Sequence, residues 1–250
     1  MELWVILLLI AVGIIFYLVS QNKKRAETQL QDAQADARRL HDRLGGQTMN
    51  LVPPSDNQPA AQALADAGER YTATGSQLES ANTVRQYMLA KETAVEGLHY
   101  VRAARIAMDM DPGPSVELLP GQAQAGSVKE DLSAEVKGQT VTASPTPDDQ
   151  NKHYYPGGRV EGKPVPAGWY NTPWWRPAAT GALAGIGTMM VFSALVAPAM
   201  AAGAVEGGGG DGDGMDDAGG GDDFDGGGDD FAGGDMGGDF GGGDMGGFDF

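Results

Sequence analysis

The sequence predicts an all-α protein: an N-terminal transmembrane anchor, a cytoplasmic antiparallel helical hairpin or small bundle, a second transmembrane helix and a disordered acidic Gly-rich tail. Three observations predict it. Residues 178–205 hold 28 positions without a charge, where a span needs about 20. An earlier apolar run, Leu3 to Val19, is followed at once by Lys23-Lys24-Arg25. Between Gln21 and Met110 apolar residues recur at helical spacing.

Residues 1–20 form the first element. A cleaved leader carries positive residues before its apolar run and small residues at its end. Here Glu2 precedes the run and Phe16-Tyr17-Leu18-Val19 closes it, so the sequence predicts an uncleaved anchor. Basic residues flanking a span favour the cytoplasmic side. The triplet after the first run, and Lys163 and Arg176 before the second, place residues 20–177 inside. The N-terminus and the tail then lie outside.

Residues 21–111 are the helical region. Ala26, Leu30, Ala33, Ala37, Leu40 and Leu44 follow a 4-3-4-3-4 spacing, a short heptad seam of coiled-coil type. Gly45-Gly46 is the expected end of that helix, and Pro53-Pro54 marks a loop. A second helical region runs from Ala60 to Met110, with Gly68 and Gly75 as candidate interruptions. Its face includes Leu78, Ala81, Val84, Met88, Val95, Leu98, Val101 and Met108. Asp111-Pro112-Gly113-Pro114 stops it. An apolar face of this length requires a partner, and the first helix is the nearest.

Residues 112–173 read as a Pro/Gly/aromatic linker. Val116 to Leu119 and Val136 to Val141 are candidate short strands. Residues 174–205 are the second span. Trp169, Trp174, Trp175 and Arg176 before it are placed at the membrane interface, where aromatic belts gather. Gly181 and Gly185 form a small-xxx-small pair suited to close helix packing. Ala197, Ala199 and Ala201, around Pro198, have the spacing of a signal-peptidase site, which makes them candidates for processing that would release the tail.

Residues 206–250 are low-complexity. All 17 Lys and Arg residues lie between Lys23 and Arg176, and 14 of the 34 Asp and Glu residues follow Val205. Gly spacers alternate with units such as Asp222-Asp223-Phe224 and Asp249-Phe250. Gly loses most backbone entropy on folding and the Asp residues repel, so disorder is expected. Such charge density suits weak, non-specific Ca²⁺ association rather than a defined site.

Composition removes several function classes. With no Cys there are no disulfides, Fe–S clusters or thiolate zinc sites. The formal net charge of −17, with dispersed basic residues, argues against nucleic-acid binding. No phosphate loop, dinucleotide fingerprint or nucleophile elbow is present. Glu96-Gly97-Leu98-His99 has the E-x-x-H spacing of di-iron helical proteins, but those sites need a second such pair and two more Glu residues. The sequence therefore assigns no catalytic residue, cofactor or metal ligand.

The segments Ala94-Val95-Glu96-Gly97-Leu98-His99-Tyr100-Val101-Arg102-Ala103-Ala104-Arg105 and Trp169-Tyr170-Asn171-Thr172-Pro173-Trp174-Trp175-Arg176, with the Gly/Asp tail, resemble uncharacterised membrane proteins of actinobacteria. The resemblance implies a bacterial plasma membrane and no particular activity. The expected function is non-enzymatic: a scaffold or accessory subunit of a cell-envelope assembly. Its expected partners are the lipid bilayer and other membrane or envelope proteins, or further copies of the chain. The alternatives are a precursor whose tail is released near Ala199–Ala201 and a helical metalloprotein enzyme built on Glu96 and His99.

Overall fold

The computed structural model describes residues 2–176 and 187–206, with side chains from Tyr17 onward apart from residue 19. Gly181, Gly185 and the tail from residue 207 lie outside the described residues, as do the side chains of most of the predicted first anchor.

The first layer is a bundle of three helices. Helix α1 (Glu2–Met49) runs through Gly45 and Gly46 rather than ending there. The bare backbone at Gly45 admits the Tyr71 ring: a Cβ there would lie 2.6 Å from Tyr71 Cε2. Helix α2 (Gln58–Ser80) starts at Asn57, whose Oδ1 accepts from the Ala60 N–H at 3.0 Å. Helix α3 (Val84–Ala107) starts at Thr83. The predicted helical region 60–110 is thus divided at residues 81–83, not at Gly68 or Gly75. The cause is a capping box, in which Thr83 Oγ1 accepts from the Gln86 N–H and Gln86 Oε1 accepts from the Thr83 N–H.

Contacts fix the directions. Asn57 Nδ2 donates to the Ala107 carbonyl at 2.7 Å, so the start of α2 meets the end of α3 and the two are antiparallel. Gln34 meets Tyr87, and Leu44 meets Gly97, so α1 runs parallel to α3. Of the heptad seam, Ala37, Leu40 and Leu44 are buried, and Leu30 and Ala33 pack partly against α3. The described α1 side chains from Tyr17 to Gln29 are exposed or half-buried.

The second layer is antiparallel sheet, and it corrects the all-α expectation. After a short helix α4 (Gln122–Ala125) come β1 (Ser127–Val128), β2 (Leu132–Val136), β3 (Gln139–Ser144), β4 (His153–Tyr155), β5 (Gly158–Val160), β6 (Lys163–Val165) and β7 (Gly168–Tyr170). Four of them pair in the order β2-β3-β7-β4, and β5 pairs with β6. Two hairpins share one turn chemistry. Lys137-Gly138 and Glu161-Gly162 each carry two consecutive positive φ angles, the two-residue turn that matches strand twist.

The third layer replaces the predicted second span. Residues 188–201 form α5 (Thr188–Val191), a π-helical turn (Phe192–Val196) and α6 (Ala197–Ala201). At about 1.5 Å per residue this reaches only about 21 Å, short of the ~30 Å hydrocarbon core. Val191, Leu195 and Val196 are buried against Val141, Tyr155, Val165, Tyr170 and Trp174 of the sheet layer. The last strand, β8 (Val205–Glu206), pairs antiparallel with β1. Among the described residues no helix is long and apolar enough to cross a membrane. The all-α, two-span fold and its transmembrane segments are corrected accordingly, to a helical bundle, a sheet and a short helical layer. These elements belong to one compact unit, Met1–Gly210.

Candidate functional site: the helix–sheet junction

The strongest concentration of large aromatic and buried charged groups lies where the bundle meets the sheet. Strands β4 and β7 build it by alternation, since successive strand residues face opposite sides. Tyr154 is opposite Trp169 in register. Trp169 faces the bundle and packs with Ala63, Leu64, Ala103 and Ala104. Tyr155 and Tyr170 face the other way, into the core shared with the C-terminal helices.

Two aromatic chains result. On the bundle side Tyr100, Tyr154 and Trp169 follow one another at ring separations of 6.2 and 5.1 Å. On the other side Tyr155, Trp175, Tyr170 and Trp174 lie 5.0 to 5.9 Å apart along the chain. Such edge-on and tilted pairs add about 0.5–1.5 kcal/mol each beyond area burial. Trp169 is 2% exposed and Trp174 4%, so both indoles predicted for the membrane interface are enclosed by protein. Trp175 is half-buried.

Arg176 closes the junction. Its guanidinium donates to Asp66 Oδ1 of α2 and lies 3.7 Å from Glu69. Asp66 is 2% exposed and also accepts from Gln62 Nε2 at 2.9 Å. One turn along the same face, Arg70 pairs with Glu96 of α3 at 3.0 Å, and the Tyr100 hydroxyl donates to the other Glu96 oxygen at 3.5 Å. Charges from α2, α3 and the segment after β7 therefore gather in one partly buried cluster.

Burial raises the Asp66 carboxyl above the usual carboxylate range, and Arg176 and Gln62 offset it only in part. Glu96 is raised for the same reason, against Arg70 and Tyr100. For Arg176 burial works downward, but Asp66 outweighs it and the guanidinium is held more firmly charged. The two partners of the Arg176–Asp66 pair thus differ: the half-buried cation gains, whereas the enclosed anion loses more hydration than the pair returns. His153, half-buried on β4, is lowered by burial despite the pull of Asp66.

The E-x-x-H residues are parted. Glu96 belongs to the ionic network, whereas the His99 ring faces residues Asp111–Pro120, an irregular strap laid along α3. His99 Nε2 lies 3.0 Å from the Glu117 carbonyl, Arg102 donates to the Gly113 carbonyl, and Arg105 Nε donates to the Asp111 carbonyl at 2.6 Å. Among the described residues no three His, Asp or Glu groups are placed to hold a metal ion. Ala197, Ala199 and Ala201 lie in α6, with Ala199 buried, Ala197 half-buried and Ala201 exposed.

The sequence reading missed Asp66, Glu69, Arg70 and Glu96 as a group. One signal was present: Asp66 lies between Ala63 and Ala67, an acid inside a buried small-residue seam of α2. An acid at such a place needs a cation from elsewhere in the chain. Comparison with protein-family models, with curated proteins and with solved structures finds no match for this chain.

Proposed function

We propose that the protein is a non-enzymatic scaffold or accessory subunit of a bacterial cell-envelope assembly. The observation that carries this reading is the use made of the enclosed Asp66 and the half-buried charges around it. Asp66, Arg70, Glu96 and Arg176 are each spent on another protein group, and together they fasten α2, α3 and the post-β7 segment into one body. Catalytic groups instead face a cavity that admits substrate. The groove of about 230 Å³ between α3 and the strap is lined by Met88, Lys91, Val95 and Leu119 among others, not by this network. The cleft of about 310 Å³ near Asn57 is lined by Pro54, Asp56 and Asp148 among others, again apart from it.

The test is the composition of the native particle. Cross-linking in the cells that make the protein, followed by mass determination, is expected to give a discrete complex with a fixed ratio of this 26.0 kDa chain to a second protein. Recovery of the chain alone, in full yield and without any cross-linked partner, refutes the scaffold reading.

A further inference from the structure

Helix α1 carries a second feature, remote from the junction. Lys23, Lys24 and Arg25 are consecutive and all exposed. None takes part in the ion pairs found among the described residues. From Leu3 to Ala26 the chain has no Asp or Glu, although its formal net charge is −17. The basic triplet therefore stands at the end of a run without any acid. Glu27 is the nearest acid, and it too is exposed.

The flank of the triplet is equally specific. Tyr17 is 61% exposed and Leu18 54%, two large apolar side chains presented to solvent within two helical turns of the cations. Tyr17, Gln21, Lys24 and Thr28 follow a 4-3-4 spacing and so share a face of α1. The Gln21 amide donates to the Tyr17 hydroxyl at 3.1 Å, which orders that face. Tyr with an apolar body and polar tip, next to Lys and Arg with apolar stems, is the side-chain set that partitions to a headgroup boundary.

We propose that residues Tyr17–Arg25 of α1 form a recognition site for anionic phospholipid headgroups, with Lys23, Lys24 and Arg25 pairing to lipid phosphates and Tyr17 and Leu18 entering the boundary beside them. The occupant follows from charge complementarity combined with the exposed apolar flank. A nucleic acid would gain from the cations but leave Leu18 in water. A lipid surface satisfies both halves of the site. This inference is independent of the scaffold reading and survives its failure.

The experiment uses the full chain and two kinds of vesicle, phosphatidylglycerol mixed with phosphatidylcholine and phosphatidylcholine alone, read by co-flotation. Binding is expected to favour the anionic vesicles and to weaken as salt screens the cations. Each Lys or Arg near an anionic surface contributes enough that K23Q/K24Q/R25Q is expected to lose about 100-fold in affinity for the anionic vesicles. A control removing exposed cations elsewhere, R85Q/K129Q, is expected to bind as the unaltered chain does. These outcomes support the site, provided circular dichroism shows both variants folded. Equal binding to both vesicles, an unchanged triple variant, or displacement from anionic vesicles by a duplex oligonucleotide overturns it.

Discussion

At Gly97 the three helices of the bundle come close. A Cβ built there would lie 2.5 Å from Leu44 Cδ2 and 3.0 Å from Arg70 Cβ, so all three helices depend on this missing side chain. Overpacking of a closed core costs about 1–3 kcal/mol. G97A is expected to lower stability by that amount in urea denaturation. Gly46 is the control, since nothing lies within 4 Å of the place a methyl would take there; G46A is expected to be neutral or stabilising through helix propensity. Equal midpoints for G97A and the unaltered chain would show that α1 and α3 do not approach so closely in solution.

Among the elements, the strap Asp111–Pro120 has a hold that depends on pH. It lies over His99, and its Val116 and Leu119 pack against the cluster of Leu44, Val95 and Leu98. Burial lowers the His99 pKa below 6.5, the Glu117 carbonyl opposes that, and Arg102 adds to it. Neutral His99 is thus the form that burial in the folded protein favours, while the unfolded chain takes up a proton near pH 6.5. The contribution is present in full above pH 6.5 and declines as the pH falls below that value. His153 is lowered too and adds to the same trend. H99Q is expected to flatten the loss of stability between pH 7 and pH 5, followed by thermal melting across that range. A variant with the original slope would place the acid response elsewhere.

The elements also differ in how far they could be read from residue order. Helical spacing places Ala37, Leu40 and Leu44 on one seam, and these are buried, because a helix repeats its face every few residues whatever surrounds it. Strands β4 to β7 are three residues long, too short for alternation to rise above chance. The clearest trace of the sheet layer is the doubled pattern Val136-Lys137-Gly138-Gln139 and Val160-Glu161-Gly162-Lys163, a hairpin turn written twice. The run from Ala178 to Val205 misled for another reason. An uncharged segment preceded by tryptophans satisfies a membrane and a protein core alike, and only the distant sheet that receives Val191 and Leu195 distinguishes them. The junction was illegible for the same reason, since Asp66 and Arg176 are 110 positions apart.

For the molecule as a whole, that pair fastens the segment after the sheet to the bundle. Removing Arg176 leaves an enclosed carboxylate without its cation, and breaking a buried pair in this way costs about 3–5 kcal/mol. Arg176 is only half-buried, so R176A is expected at the lower end. D66N/R176M removes both charges and is expected to recover part of the loss, giving a coupling that a double-mutant cycle reads directly. Additive single and double variants would mean that the two side chains do not act together.

The pairing of β1 with β8 sets a timetable for biosynthesis. Every residue of the bundle has been translated once Ala107 leaves the ribosome's catalytic centre, but Val128 finds its β8 partner only when Val205 follows. At about 5–20 residues per second that interval is on the order of ten seconds. For the earlier part of it, until Trp169 is made, the sheet-facing side of the bundle, with Leu64, Ala103 and Ala104, stands open on the nascent chain. The protein is thus most vulnerable to chaperone capture and to mis-association after the bundle helices are made and before Trp169 arrives to cover them.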